Sequence, residues 1–166
     1  MLGNIDFLVS SIIVLIILYY HSSRELKMDN HNNRIFRYFL ILSIFELIFD
    51  IITSFLMAYP VSEFVWLSVM SLTIFYYLQV CITYSVALYA ISLRDNYSQN
   101  RRKWILAWGL LPVIMLIFIT GNVYGKYIFS FDSVGVYSNG YLYPVMYIYF
   151  LIYTLIIIGG CLLHRK

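Results

Sequence analysis

Five long apolar stretches, separated by short polar segments, dominate the pattern of this chain. They cover residues 4–20, 35–58, 62–93, 104–124 and 143–163. A helix needs about 20 apolar residues to cross the hydrocarbon core of a bilayer, because each residue advances it by about 1.5 Å. The pattern therefore predicts an all-α, polytopic transmembrane helix bundle of five spans, which forms a single membrane domain over residues 1–166.

The Lys and Arg residues are distributed very unevenly between the two sides of this pattern. Four lie between the first stretch and the start of the second, four between the third and fourth, and two after the fifth, so ten of the eleven share one side. Only Lys126 lies on the other side. Basic residues accumulate in cytoplasmic loops of membrane proteins. We therefore expect a multi-pass protein of the plasma membrane, with the N-terminus outside and the C-terminus in the cytoplasm.

The composition agrees with a membrane protein, since 62% of the residues are hydrophobic and only 11% are charged. A soluble domain has about 25% charged residues, so we expect the lipid bilayer to be the main partner. The basic residues sit beside the ends of apolar stretches, which argues against a nucleic-acid surface. No metal-binding spacing, nucleotide loop or nucleophile motif is present. We therefore expect no catalytic residue, no metal and no cofactor, and the chain is predicted not to be an enzyme.

The segment between the fourth and fifth stretches, residues 125–142, has a different character. Aromatic and β-branched residues flank a Ser-Val-Gly turn at residues 133–135, and Asn139-Gly140 is a second turn signal. This combination is typical of a β-hairpin. We expect a short hairpin that lies over the outer mouth of the bundle.

Two acidic residues, Glu46 and Asp50, lie within the second stretch. They are four residues apart and therefore share one face of a helix. Carboxylates inside a membrane usually face the bundle interior and have partners. By depth, Gln79 is the expected partner of Glu46, and Asn122 that of Asp50. Further neutral candidates are Tyr76, Thr83, Tyr84 and Thr120. The set is either a ligand or proton site or a structural lock between helices.

Seventeen tyrosines are a further unusual feature. On the fifth stretch Tyr143 and Tyr147 recur at helical spacing, followed by Phe150 and Thr154. On the third stretch Tyr77, Cys81 and Tyr84 do the same. Such stripes either line a pocket for an aromatic or amphipathic ligand or pack helices together and anchor them at the interface.

Several segments resemble the N-terminal membrane region of bacterial signalling proteins, mainly from Firmicutes. In that family several spans precede a GGDEF diguanylate cyclase domain or a histidine kinase core. The matching segments read FELIFDI at 45–51, FYYLQ at 75–79, FSFD at 129–132, GVY at 135–137 and NG at 139–140. Basic segments after the third and fifth stretches are also similar.

The resemblance implies a sensory or input role, with the outer hairpin and the upper bundle as the input surface. Asp50, Asp132 and Tyr137 are the positions that it singles out, the ligand is unknown, and a homodimer is compatible with it. The chain ends at Lys166 without a GGDEF sequence or a kinase histidine, so we expect sensing without an output domain. Two alternatives stay open: a small transporter or transporter subunit that uses Glu46 and Asp50, and a structural membrane protein.

Overall fold

A computed structural model of the protein describes residues 3–25, 31–92 and 97–163. These residues form five α-helices and one small β-hairpin. The helices are α1 (Gly3–Glu25), α2 (His31–Ala58), α3 (Val65–Ser92), α4 (Tyr97–Gly125) and α5 (Pro144–Leu163). A single 3-10 turn, Ser62–Phe64, leads into α3. The predicted all-α class and the predicted hairpin are confirmed.

Four of the helices contain apolar segments long enough to cross a membrane. These segments are Asp6–Ser23, Asn33–Ala58, Ser62–Ser92 and Trp108–Gly125. In α5 the apolar segment is shorter and covers Pro144–Gly159. All five helices match the apolar stretches predicted from the sequence, but α1, α2 and α4 extend by several residues into the flanking polar segments. We refer to the end of the bundle where α2 begins as the basic end, and to the end where α2 ends as the hairpin end.

Helix α3 is the centre of the bundle, because α2, α4 and α5 all pack against it, whereas α1 packs against α2. Small polar residues bring α2 and α3 close together, and Thr53 is hydrogen-bonded to Ser71 across a buried 2.8 Å contact. Such residues allow close helix approach in membranes. Nearer the basic end, the rings of Phe36 and Tyr89 are in contact at 5.7 Å. The two contacts define an antiparallel α2–α3 pair.

The buried core lies on the opposite side of α3, between α3, α4, α5 and the hairpin. Its members are apolar or aromatic and come from all four elements: Leu72, Tyr76, Val80, Ala87, Met115, Ile119, Ile128, Phe129, Phe131, Met146, Tyr149 and Tyr153. Helix α1 contributes no described residue to this core. The most complete packing of the described residues is therefore found beside the hairpin.

The hairpin consists of β1 (Phe129–Phe131) and β2 (Tyr137–Asn139), which pair antiparallel with Ser130 opposite Ser138. Its turn includes Gly135 at φ 93°, a left-handed conformation that favours glycine because other residues carry a Cβ. The Ser-Val-Gly segment thus forms the turn predicted for it.

The hairpin packs against the first turns of α3, at the end of the bundle where α5 begins. Phe129 at its base stacks on Tyr76 with ring centroids 5.6 Å apart. Gly135 at its tip faces Pro60 and Val61, which precede α3: a Cβ at this position would lie 3.4 Å from Cβ of Pro60 and 3.3 Å from the backbone N of Val61. The hairpin therefore runs along roughly the first three turns of α3, a distance of about 16 Å. Because Tyr143 also reaches Tyr76, α5 begins only at this depth, and the hairpin occupies the space above it.

Candidate functional site

Asn122 near the end of α4 attaches the hairpin to the bundle. Its side chain is 1% exposed. The amide Nδ2 donates to the carbonyl of Phe129 at 3.1 Å, and Oδ1 accepts from the backbone N–H of Ile128 at 2.5 Å and of Phe129 at 3.3 Å. Both polar atoms of the amide are therefore engaged with the first residues of the hairpin.

The chain reaches this position through a sharp reversal at the end of α4. Lys126 adopts a left-handed conformation (φ 55°), and its N–H still donates to the Asn122 carbonyl at 2.8 Å. This is a common way to end a helix. The chain then descends beside α4, where Ile128 and Phe129 become almost completely buried. A buried backbone segment outside a helix needs partners for its polar groups, and the Asn122 amide supplies them.

Four tyrosine hydroxyls meet where β2, α3 and α5 converge, and we refer to Tyr76, Tyr137, Tyr143 and Tyr147 as the hydroxyl cluster. Tyr76 lies close enough to Tyr137 and Tyr143 to interact with them electrostatically. Tyr147 donates to Tyr143 at 3.3 Å, and Tyr137 donates to Oδ1 of Asn139 at 2.5 Å. The cluster offers phenol donors and acceptors beside aromatic faces, which suits an amphipathic or aromatic ligand.

Tyr76 is the central member of the hydroxyl cluster. It is buried in α3, and its ring stacks on Phe129 of β1. It also lies close enough to interact electrostatically with Tyr137 of β2 and with Tyr143, which directly precedes α5. A displacement of the hairpin therefore changes the surroundings of Tyr76 and of the first residue before α5 at the same time. Tyr76 was a sequence candidate, but as a partner for the carboxylates of α2.

The two hairpin positions predicted as input candidates, Asp132 and Tyr137, have different roles in the structure. The Asp132 carboxylate accepts hydrogen bonds from the N–H of Val134 at 2.9 Å and of Val136 at 2.8 Å. The bond from Val136 is the main reason why the pKa of Asp132 is lowered. Tyr137 is half-buried in the hydroxyl cluster, and burial is the main reason why its pKa is raised. Asp132 shapes the loop, whereas Tyr137 belongs to the site.

Of the predicted stripe on α5, Tyr143 and Phe150 pack against the buried core, whereas Tyr147 faces outward. Tyr147 is 61% exposed, whereas Tyr149 and Tyr153 are 2% and 0% exposed. Tyr149 donates to the carbonyl of Val80 at 3.1 Å, and Tyr153 donates to the carbonyl of Trp108. Tyr149 and Tyr153 thus link α5 to the backbones of α3 and α4 below the hydroxyl cluster. Helical spacing alone fits both stripes, so the sequence did not distinguish them.

Glu46 and Asp50 lie on the side of α2 that faces α3, in line with the buried residues Ser43 and Thr53. The two carboxylates are close enough to interact electrostatically, and the Ser54 side chain, one turn further along α2, lies near the Asp50 carboxylate. The predicted proximity of the two carboxylates is therefore present, and the observed partner of Asp50 lies on its own helix.

Of the two predicted partners of this acidic pair, Gln79 lies at the level of Glu46, whereas Asn122 does not contact Asp50. Counted from the Thr53–Ser71 contact, Glu46 lies seven residues back along α2 and Gln79 lies eight residues on along α3. The two residues are therefore level with each other in the bundle, as their depth predicted. Asn122, the predicted partner of Asp50, is instead bound to Ile128 and Phe129. The structure does not bring Asn122 and Asp50 together.

The remaining candidates on α3 and α4 mainly form contacts within a helix or between two helices. Tyr77 is hydrogen-bonded to Thr120 between α3 and α4. Thr83 donates to the carbonyl of Gln79 within α3 at 2.7 Å. The ring of Tyr84 is perpendicular to that of Tyr153, with centroids 6.4 Å apart. Among the residues that the structure describes, no group of three His, Cys, Asp or Glu side chains could hold a metal ion.

No model of a known protein family matches this chain, and no curated protein or solved structure matches it either. The resemblance of its segments to bacterial sensor regions therefore stays a prediction.

Proposed function

We propose that this chain is the membrane-embedded input region of a bacterial signal-transduction protein. In this proposal all five helices span the plasma membrane, the N-terminus and the hairpin face the outside, and the segment after α5 lies in the cytoplasm. The single observation that carries it is the position of the hydroxyl cluster, where the hairpin stacks on Tyr76 of α3 beside the hydrogen-bonded pair Tyr143 and Tyr147 at the start of α5. The uneven distribution of Lys and Arg supports the orientation.

A fifth span is consistent with the length of α5. The helix contains 20 residues, which corresponds to about 30 Å at 1.5 Å per residue. This length matches the hydrocarbon core of a bilayer. Because the hairpin lies alongside the part of α3 that α5 does not reach, the extra length of α3 would project from the outer membrane surface and carry the hairpin with it.

The proposed mechanism is a shift between two arrangements of the hairpin. A ligand that binds Tyr137 and the exposed side of the hairpin would alter the contacts of Tyr76 with Tyr143, and thereby the position of α5. Tyr149 and Tyr153 bind α5 to two backbone carbonyls and would transmit this change as a rotation or translation of the whole helix. The shift in population is limited by the ligand's difference in affinity for the two arrangements.

This geometry favours an input region over the transporter alternative. The carboxylates Glu46 and Asp50 lie on α2, whereas the continuous set of specific contacts runs from the hairpin to α5 on the far side of α3. A ligand at the hairpin would therefore act on α5 directly. The proposed output partner is a cytoplasmic domain that responds to the position of this helix.

The proposal can be tested with the full chain fused after Lys166 to a diguanylate cyclase domain. Linkers that differ by one, two and three residues rotate the domain by about 100° per residue if the helix continues. The readout is cyclic di-GMP per inserted molecule. Tyr76→Phe removes the central hydroxyl and is expected to change the output about fivefold in at least one linker, as the loss of a polar interaction worth about 1 kcal/mol implies.

Tyr141→Phe is the matched control, because Tyr141 is an exposed phenol in the segment between β2 and α5. Its output is expected to equal that of the unmodified chain. If Tyr76→Phe and Tyr141→Phe give the same output in every linker at equal protein level, the hydroxyl cluster does not control α5 and the proposal is wrong.

A further inference from the structure

A polar cavity of about 360 Å³ opens between α1 and α2 at the basic end of the bundle. Its described lining consists of Tyr19, Arg34, Arg37, Tyr38 and Ile41. None of these residues is acidic. Two guanidinium groups and two phenols therefore face a shared space, with one aliphatic side chain on the side nearer the bundle interior.

The cavity is built by both helices. Tyr19 comes from the last part of α1, and the other described lining residues come from the first three turns of α2. Nε of Arg37 donates to the carbonyl of Asn33 at 3.4 Å, which orients its guanidinium towards the helix terminus. Arg34 lies one turn earlier and is exposed. The two positive charges are thus three residues apart on one face of α2.

We propose that this cavity binds the phosphate of an anionic lipid headgroup. Arginine pairs with phosphate through parallel hydrogen bonds, and the two tyrosines add phenol donors. Basic pockets between transmembrane helices at the cytoplasmic surface are suited to anionic headgroups. The lipid would sit where both helices leave the hydrocarbon region, since tyrosines favour that boundary.

The surroundings of the cavity select a lipid over a free phosphate ion. Below the two arginines, the face of α1 that carries Tyr19 continues as an apolar surface, with Ile16 one turn earlier 50% exposed. Acyl chains can cover this surface while the headgroup occupies the cavity. Helix α1 packs against α2 and contributes no described residue to the buried core. A lipid bound to both helices would therefore fasten α1 to the bundle. This inference concerns a different end of the molecule and does not depend on the proposed input function.

The test measures the unfolding temperature of the purified full chain in detergent with added phosphatidylglycerol, phosphatidylcholine or inorganic phosphate. Phosphatidylglycerol is expected to raise the unfolding temperature in a saturable manner, whereas the other two leave it unchanged. In the variant Arg34→Gln/Arg37→Gln, the apparent affinity for phosphatidylglycerol is expected to fall about twenty-five-fold. This corresponds to about fivefold, or about 1 kcal/mol, for each basic residue near a membrane surface.

Lys103→Gln serves as the control, because Lys103 is an exposed basic residue of α4 near the same end of the bundle. Its affinity is expected to stay within twofold of the unmodified chain. If the double variant does not accumulate, Arg34→Gln alone is expected to lower the affinity about fivefold. Equal responses to the two lipids, an equal response to inorganic phosphate, or unchanged affinity in the arginine variants would each overturn the proposal.

Discussion

The side of the bundle formed by α3, α4, α5 and the hairpin is stabilised differently from the side formed by α1 and α2. On one side, α4, α5 and the hairpin surround α3 with a buried aromatic core and with side chains that bind backbone groups. On the other side, α1 packs against α2 and exposes most of its surface, as Phe7 at 72% illustrates. The specific contacts are concentrated where the chain leaves helical structure.

This difference follows from what each element needs in a membrane. A helix satisfies its own backbone hydrogen bonds and can contact lipid on every side. The segment from Lys126 to Tyr143 cannot do so, because Ile128 and Phe129 are buried outside a helix. Partners from α3 and α4 are therefore required there. Substitutions near the hairpin should therefore lower the free energy of unfolding, whereas equivalent substitutions on exposed helix faces should leave it nearly unchanged.

Asn122→Ala is expected to have the largest effect. It removes three hydrogen bonds and leaves the Ile128 and Phe129 backbone unsatisfied, which should lower the free energy of unfolding by about 4 kcal/mol. Denaturant titration of the purified protein in detergent measures this change. Phe7→Ala on α1 is the control and should shift the value by less than about 0.5 kcal/mol. Equal losses in both variants would contradict the comparison between the two sides of the bundle.

Gly140→Ala is expected to cost about 3 kcal/mol, because a Cβ at this position would collide with the Tyr127 backbone just below the hairpin. Gly159→Ala is the matched control on α5. A Cβ there meets nothing within 4 Å, and alanine favours a helix over glycine by up to about 1 kcal/mol. The same titration should therefore show destabilisation in the first variant and none in the second. A Gly140→Ala protein as stable as the unmodified chain would show that the close approach is not needed.

Tyr153→Phe is expected to lower the free energy of unfolding by about 1 kcal/mol, because it removes one buried hydrogen bond to the Trp108 carbonyl. Tyr147→Phe removes an exposed bond to Tyr143 and should cost less than about 0.5 kcal/mol. Measuring both variants separates the tyrosine that faces the bundle from the tyrosine that faces outward. The assignment of the two tyrosines is wrong if the order of the effects is reversed.

Protonation of Asp132 is expected to have the smallest and most local effect. Its folded-state pKa lies below the ordinary value of 3.8, so its contribution is complete above that value and is lost as the pH falls through the lower, folded-state pKa. Hydrogen exchange at the N–H groups of Val134 and Val136 should therefore lose protection only below about pH 4. Asp132→Ala, which removes the acceptor oxygen, should lose most of this protection at neutral pH. Loss of protection between pH 5 and 6 in the unmodified chain would contradict this account.

Much of the architecture could be predicted from the order of residues. The apolar stretches located the five helices to within several residues, and Gly135 lies in the predicted turn. The level of Gln79 relative to Glu46 also followed from counting along an antiparallel pair. These features depend on local composition and on a helical rise that is the same everywhere.

The candidate site was only partly predictable. Tyr76 and Tyr137 were both singled out, but nothing in their positions along the chain places their hydroxyls together. Asn122 was expected to meet Asp50, since both lie towards the hairpin end. Its real partners, Ile128 and Phe129, are six and seven residues away in the chain and become buried only because the hairpin descends beside α4.

The sequence alone determined which segments are helical and apolar, where the turns occur and which side carries the basic residues, because each depends on residue type and short-range spacing. Tertiary structure decided that the hairpin packs along α3, that Tyr149 and Tyr153 face inward while Tyr147 does not, and that Arg34 and Arg37 share a cavity with Tyr19. Helical periodicity leaves the rotation of each helix free. Only the packing of one element against another selects the buried face.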